Sequence, residues 1–266
     1  MPQIIQRNKS VIPACDVPFE TFKKIAKQTA DIPGIGALKV GVAFLDVGLK
    51  KVVDTVRDYT NKPVIYDHQK AATDIHEKTP DEFMDAIVRS GIDAVILFPE
   101  AGPITEYEWI KAAQDRKLGI IVGGEMTHPR FLEGDLSEGK KKNYTEIFKE
   151  LGIDRDIPGF IRQYAPEDMY EIAARMGVTN FVVPGNKPNR ITHYKNIVEV
   201  CGASEPVFYS PGLVAQGGNI SDGARAAGKS FHGIVGRGIY FNKEKDRINS
   251  PEEMKQAAIE LTSQLD

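Results

Sequence analysis

The chain has 266 residues and a mass of 29.4 kDa, enough for one large domain or two small ones. With 41% hydrophobic and 27% charged residues it is too apolar for a disordered chain. Lys plus Arg number 34 against 37 Asp plus Glu, so the formal charge of −3 leaves no blanket basic field for nucleic acid or an anionic membrane. Apolar runs fall far short of the ~20 residues needed to cross a bilayer, and no apolar signal region follows Met1. Cys15 and Cys201 are too few for a disulfide framework and lack zinc spacing. The expectation is a cytoplasmic, metal-free protein.

Short apolar runs alternate with longer amphipathic stretches. Strands are expected at Val11–Cys15, Ala37–Val42, Pro63–Tyr66, Ala94–Phe98, Gly119–Gly123, Asn180–Val183, Val207–Tyr209 and Gly233–Val235, all rich in Val, Ile and Phe and bounded by Gly, Pro or charge. Helices are expected at Pro18–Thr29, Leu45–Tyr59, Pro80–Arg89, Pro103–Asp115, Ala165–Met176, Arg190–Val200, Ile220–Ala227 and Pro251–Leu265. Pro18, Pro80, Pro166 and Pro251 fall where a first helical turn tolerates a missing N–H. Strict alternation implies parallel strands with helical crossovers, and an eightfold count over ~250 residues fits a closed (β/α)8 TIM barrel. A doubly wound sheet is the competing architecture, weakened because no GxGxxG follows the first strand. One domain over residues 1–266 is expected, with a loop or helical elaboration at 126–163 after strand five that carries the run Lys140–Lys142.

In such a barrel the working face lies at the carboxyl ends of the strands. There stand Asp16, Lys39, Asp67, Lys70 and Asp74, Glu125 to His128, Ser210 to Gly218, and Gly236 to Gly238. The segment from Ser210 through Pro211, Gln216, Gly217 and Gly218, together with Gly236 and Arg237, follows the last two strands, where barrels commonly bind phosphate on backbone N–H groups. Arg237 offers a two-pronged contact and Gln216 an amide donor. The competing reading is an ordinary turn with Arg237 in a surface ion pair. Lys39 sits in the apolar context Ala-Leu-Lys-Val-Gly and is costly there without a carboxylate, which Asp67 on the next strand can supply. A structural salt-bridge network and a catalytic row of charges both fit those residues.

Taken together, Ala14-Cys-Asp16, Leu38-Lys-Val-Gly41, Asp67…Lys70…Asp74-Ile75, Met126-Thr-His-Pro129, Ser210-Pro-Gly…Ala215-Gln-Gly-Gly218 and Ile234-Val-Gly-Arg-Gly-Ile-Tyr240 resemble the orotidine 5′-monophosphate decarboxylase family over most of the chain outside the elaboration. The resemblance implies a barrel that converts orotidine monophosphate to uridine monophosphate without metal or cofactor, within pyrimidine biosynthesis. It implies Lys70 as the general acid, Lys39, Asp67 and Asp74 as the rest of a Lys-Asp-Lys-Asp row, and Asp74 reaching the neighbouring site of a homodimer. Asp16 and Lys39 match positions that contact the ribose, Thr127 the pyrimidine, and Gln216 and Arg237 the phosphate.

One residue is inserted in each gap of the family's Asp-Lys-Asp spacing. Alternation along a strand would therefore turn Asp67 and Lys70 to opposite faces unless the strand bulges or ends early. His68 is the alternative occupant of the first carboxylate position, and Glu77 lies near Asp74. Three rivals are a magnesium-dependent sugar-phosphate decarboxylase or synthase, a Schiff-base aldolase on Lys39 or Lys70, and a non-catalytic nucleotide-binding barrel. The first would carry an acidic residue where Lys39 stands, and the second needs a lysine of lowered pKa.

Overall fold

The computed structural model describes residues 3–68, 72–135, 148–155 and 157–265. Strands and helices alternate as β1 (Lys9–Pro13), α1 (Phe19–Thr29), β2 (Leu38–Gly41), α2 (Leu49–Arg57), β3 (Val64–Asp67), α3 (Thr79–Arg89), β4 (Ala94–Leu97) and α4 (Pro103–Asp115). The second half continues with β5 (Gly119–Gly123), α5 (Ala165–Arg175), β6 (Asn180–Val182), α6 (Pro188–Val200), β7 (Val207–Ser210), α7 (Ile220–Ala227), β8 (Phe231–Val235) and α8 (Pro251–Thr262). The strands form one parallel sheet in the order β1-β8-β7-β6-β5-β4-β3-β2. Its two ends meet through the bridges Val11–Ile35 and Ala14–Lys39, with Cys15 N donating to Lys39 O at 2.8 Å. The result is the (β/α)8 barrel expected from the alternation.

Period-two alternation sorts the strand residues into two cores. Ile12, Ile65, Ile96, Ile121, Tyr209 and Ile234 fill the barrel interior. Val40, Val64, Val95, Val122, Phe208 and Phe231 face the helices. Each helix adds one apolar stripe to that outer layer, such as Phe22, Ile25 and Ala26 of α1 or Val52, Val53 and Val56 of α2. A Pro stands in the first turn of α3, α4, α5, α6 and α8, whereas Pro18 is the residue just before α1. A capping box between Ser250 and Glu253 also starts α8.

Some boundaries differ from the sequence expectation. The first strand begins at Lys9 because Ser10, though polar, is buried in the barrel against His232, with Oγ and Nδ1 2.8 Å apart. Helix α2 starts at Leu49 rather than Leu45. A 3-10 turn over Val42–Phe44 and Gly48 at φ 86° intervene, and Leu45 stays exposed. In the long connection after β5 the two ends are tied by the Leu132–Ile161 bridge, with Glu133 N on Ile161 O at 2.8 Å. Lys140–Lys142 lie outside the described residues. Among the described residues no helix is long and apolar enough to cross a membrane.

His232, inside the barrel beside Tyr209, has its imidazole pushed down to about 3 by burial and then by the charge of Arg7. A folded-state value below the unfolded one means that native His232 resists protonation while the unfolded chain accepts it. Stability is therefore lost on acidification, from about pH 6.5 down toward pH 3. Relative to a His232→Gln variant, the wild type should lose about 1.4 kcal/mol per pH unit in that window. Urea denaturation at stepped pH reads the difference, and parallel curves would show that His232 is not buried neutral.

Candidate active site

At the mouth of the barrel, the alternation that points Ile65 inward also points Asp67 inward, and Lys39 follows Ala37 on the inner face of β2. The Lys39 Nζ lies 2.9 Å from Asp67 Oδ2 and 3.2 Å from Asp16 Oδ2. The lysine and Asp67 side chains are only 6% and 8% exposed, while that of Asp16 is half exposed. Burial pulls the Lys39 ammonium down, but the charges of Asp67 and Asp16 outweigh it and hold the group above its ordinary value. Lys39 is thus a permanent cation at neutral pH, the reverse of what a Schiff-base lysine requires. Gly41 closes the same corner, because a Cβ there would stand 2.7 Å from Asp67 O and 3.0 Å from Asp16 Oδ1.

Asp67 and His68 point in different directions, Asp67 toward Lys39 and His68 away from it. His68 Nδ1 hydrogen-bonds the Tyr66 hydroxyl, and its ring packs edge-on against Phe83, on the helix side of the sheet. Strand β3 ends at Asp67, so alternation no longer dictates where the following residues point. Lys70 lies outside the described residues. Asp74 is exposed in the loop that follows, its Oδ1 accepting from Ile75 N at 2.7 Å. The neighbouring Glu77 is exposed as well.

Across the mouth, the loops after β5, β6, β7 and β8 converge. Gly212 adopts φ +87°, and a Cβ there would meet Thr127 Cγ2 at 2.7 Å, Asn186 Oδ1 at 3.4 Å and Gln216 Oε1 at 3.4 Å. The loop from Pro211 to Gly218 curls on itself: Val214 N donates to Gly218 O and Gly218 N to Gly212 O. Pro211 O accepts from Gly185 N at 2.8 Å. A Cβ at Gly238 would stand 3.1 Å from Val214 Cγ1, which places the Gly236-Arg237-Gly238 segment against that loop. Gln216, Gly217 and Arg237 are exposed, and Arg237 forms no ion pair with any described residue. The surface-ion-pair reading of Arg237 therefore has no partner within this part of the chain.

Two residues not singled out in the sequence, Asn186 and Tyr240, stand at the mouth, and Glu125 has partners that the sequence does not show. Asn186, in the loop between β6 and α6, has its side-chain Oδ1 buried and without a hydrogen-bond partner among the described residues. The Tyr240 phenol is pushed up by burial and by the Asp16 charge and pulled back by Arg237, so it stands within the field of both. Glu125 is 1% exposed and is held by Lys187 Nζ at 2.7 Å, Arg190 Nε at 2.8 Å and the Tyr194 hydroxyl. Burial alone would raise its carboxyl, but those donors hold it below the ordinary value. Spacing in the sequence marks Glu125 as a strand-end residue but says nothing of partners more than sixty positions away.

No family model matches the chain. Two curated relatives are orotidine 5′-phosphate decarboxylases. That of Methanococcus maripaludis is 26% identical over 219 residues, 82% of this chain and 83% of the relative. That of Methanocaldococcus jannaschii is 27% identical over 236 residues, 87% of this chain and 91% of the relative. Among solved structures, the orotidine 5′-monophosphate decarboxylase of Methanocaldococcus jannaschii complexed with the inhibitor BMP superposes with a TM-score of 0.71. It is 21% identical and covers 98% of this chain and 100% of its own. The corresponding Pyrococcus horikoshii structure gives a TM-score of 0.67 at 22% identity, covering 96% and 98%.

Asp67→Ala should destabilise the fold by about 3–5 kcal/mol, because it strips a buried ammonium of its best-shielded partner. Asp16→Ala should cost about 1 kcal/mol or less, since half of that carboxylate is in water. Chemical denaturation of both variants tests the ranking, and equal losses would contradict it.

Proposed function

We propose that this homologue of the orotidine 5′-phosphate decarboxylases is itself such an enzyme, a carboxy-lyase that converts orotidine 5′-monophosphate to uridine 5′-monophosphate and carbon dioxide. The observation that carries the reading is the buried Lys39 ammonium between Asp67 and Asp16 at the barrel mouth. It faces a converging set of glycine-rich loops beside Arg237, which has no ion-pair partner among the described residues. A metal-dependent relative would need acidic ligands where Lys39 stands.

In this reading the phosphate lies between the loop of Gly217 and Gly218 and the start of the Gly236-Arg237-Gly238 segment, with Arg237 and Gln216 as side-chain donors and Pro211 shaping the loop. Thr127 holds the pyrimidine with its hydroxyl, and Asp16 and Lys39 take the ribose hydroxyls. Lys70 stands beside the carbon that bears the carboxylate. When the bond to carbon dioxide breaks, its electron pair stays on the ring carbon, where resonance stabilises it poorly. A fixed ammonium offsets that charge more strongly in a dry site than in water, and a proton from Lys70 then completes the product. Asp67 and Asp74 keep the two lysines charged. Binding energy from the remote phosphate is available to close loops and exclude water.

The apolar side chains Val42 and Leu45 after β2, Ile75 next to Asp74, and Ile104 and Tyr107 on α4 are exposed. Exposed apolar side chains at this end of the barrel suit a second copy of the chain, in a homodimer in which Asp74 serves the partner's site. A cytoplasmic location and a single domain over residues 1–266 complete the reading.

Purified protein should release carbon dioxide from orotidine monophosphate with a chelator present. Lys70→Ala should abolish turnover while largely sparing nucleotide binding, and unchanged turnover in that variant removes Lys70 from the mechanism. Arg237→Ala should weaken nucleotide binding about 10- to 150-fold and leave nucleoside binding alone. Equal affinity of the wild type for nucleotide and nucleoside would exclude the phosphate site. Tight binding of uridine monophosphate without any turnover would favour the non-catalytic barrel.

A further inference from the structure

A second cavity, of about 490 Å³, lies outside the barrel between the N-terminal turn of α4 and one face of α5, from Ala165 to Arg175. It shares no residue with the mouth site. Apolar walls come from Pro103, Ile161, Met169 and Ile172. Into this lining α4 places Glu106, which is 1% exposed. Its Oε1 is sealed from solvent and has no hydrogen-bond partner among the described residues. Buried carboxyl oxygens are nearly always satisfied, so an orphaned oxygen on a side chain that lines a cavity of ligand size points to an absent partner.

The charges around it say which kind. Two guanidiniums line the cavity, and both are matched: Arg175 Nε lies 2.7 Å from Glu171 Oε1, and Arg162 lies 3.5 Å from Asp168 Oδ2. Glu100 and Glu106 pair with no cation among the described residues. Burial raises both carboxyls, and that of Glu106 reaches about 9 with the Asp168 charge adding to the effect. The site is therefore short of positive charge and rich in hydrocarbon.

We propose that this cavity binds a primary organic amine, its ammonium on the Glu106 carboxylate and its hydrocarbon body against Pro103, Ile161, Met169 and Ile172. The proton balance is simple: the Glu106 carboxyl gives its proton to the buffer as the ammonium takes its place, so about one proton leaves per amine bound. Ile161 is bridged to Leu132 in the same connection that carries Thr127, so an occupant touches the strap leading back to the barrel mouth.

Calorimetric titration of the full chain with hexylamine, in two buffers of different ionisation heat, tests this without reference to turnover. Saturable binding should release close to one proton and tighten about tenfold per pH unit between about pH 6.5 and 8, where Glu106 is still protonated in the free protein. Glu106→Gln should weaken hexylamine at least about tenfold and abolish proton release. Ala165→Phe, which fills the cavity and leaves Glu106 in place, should remove binding altogether. Hexanol binding as tightly as hexylamine would overturn the proposal. So would undiminished affinity in either variant, or a failure of the wild type to saturate.

Discussion

An ammonium group buried at the mouth of a barrel is the constraint around which this structure is arranged. Lys39 is sheltered from water, and the cost of that position is offset only because β1 and β3, the neighbours of β2 on either side, each bring a carboxylate to it. The same lysine's carbonyl accepts the Cys15 N–H at the point where β1 and β2 close the sheet. Barrel closure and charge placement are therefore one event. If the seam shifted by one residue, Asp16 would turn outward and the cation would lose a partner.

A second charged knot mirrors the first with the signs reversed. Glu125 is a buried anion enclosed by Lys187, Arg190 and the Tyr194 hydroxyl, all from the connection after β6 and from α6. Lys187 also approaches Asp135, within the long connection after β5. These contacts tie the end of β5 to the end of β6 where the chain departs on its longest excursion. Thr127, two residues beyond Glu125, inherits its position from that anchor. A mouth assembled from loops needs such fixed points, because loops by themselves hold side chains poorly.

The remaining side of the mouth is built from backbone rather than charge. Gly212 occupies a left-handed conformation and lies so close to Thr127 that a side chain would displace it. The segment around Gly236 rests on the β7 loop through Val214 and Gly238. The loop's own N–H groups are spent in holding its curl, and Arg237 stands beside it without an ion-pair partner among the described residues, an arrangement suited to an anion. One half of the mouth thus holds paired charges in a dry corner, and the other an open polar cradle. That division is what a reaction with a remote phosphate handle and a charge developing on carbon calls for.

Most of the architecture was legible in the residues. Eight apolar runs separated by amphipathic stretches imply parallel strands and crossovers, and period-two alternation turns Lys39 inward and Asp67 with it, because these signals are local. The glycine-rich ends of β7 and β8 were visible for the same reason. What the linear order left open was who meets whom across the barrel. That Lys39 lies between Asp67 and Asp16, while His68 turns to Tyr66 and Phe83, depends on how β1, β2 and β3 stagger against one another. The partners of Glu125, the orphaned oxygen of Asn186 and the cavity beside Glu106 depend on the stagger between strands and on how α4, α5 and α6 seat against one another. Those relations join positions tens of residues apart, and only the closed tertiary structure sets them.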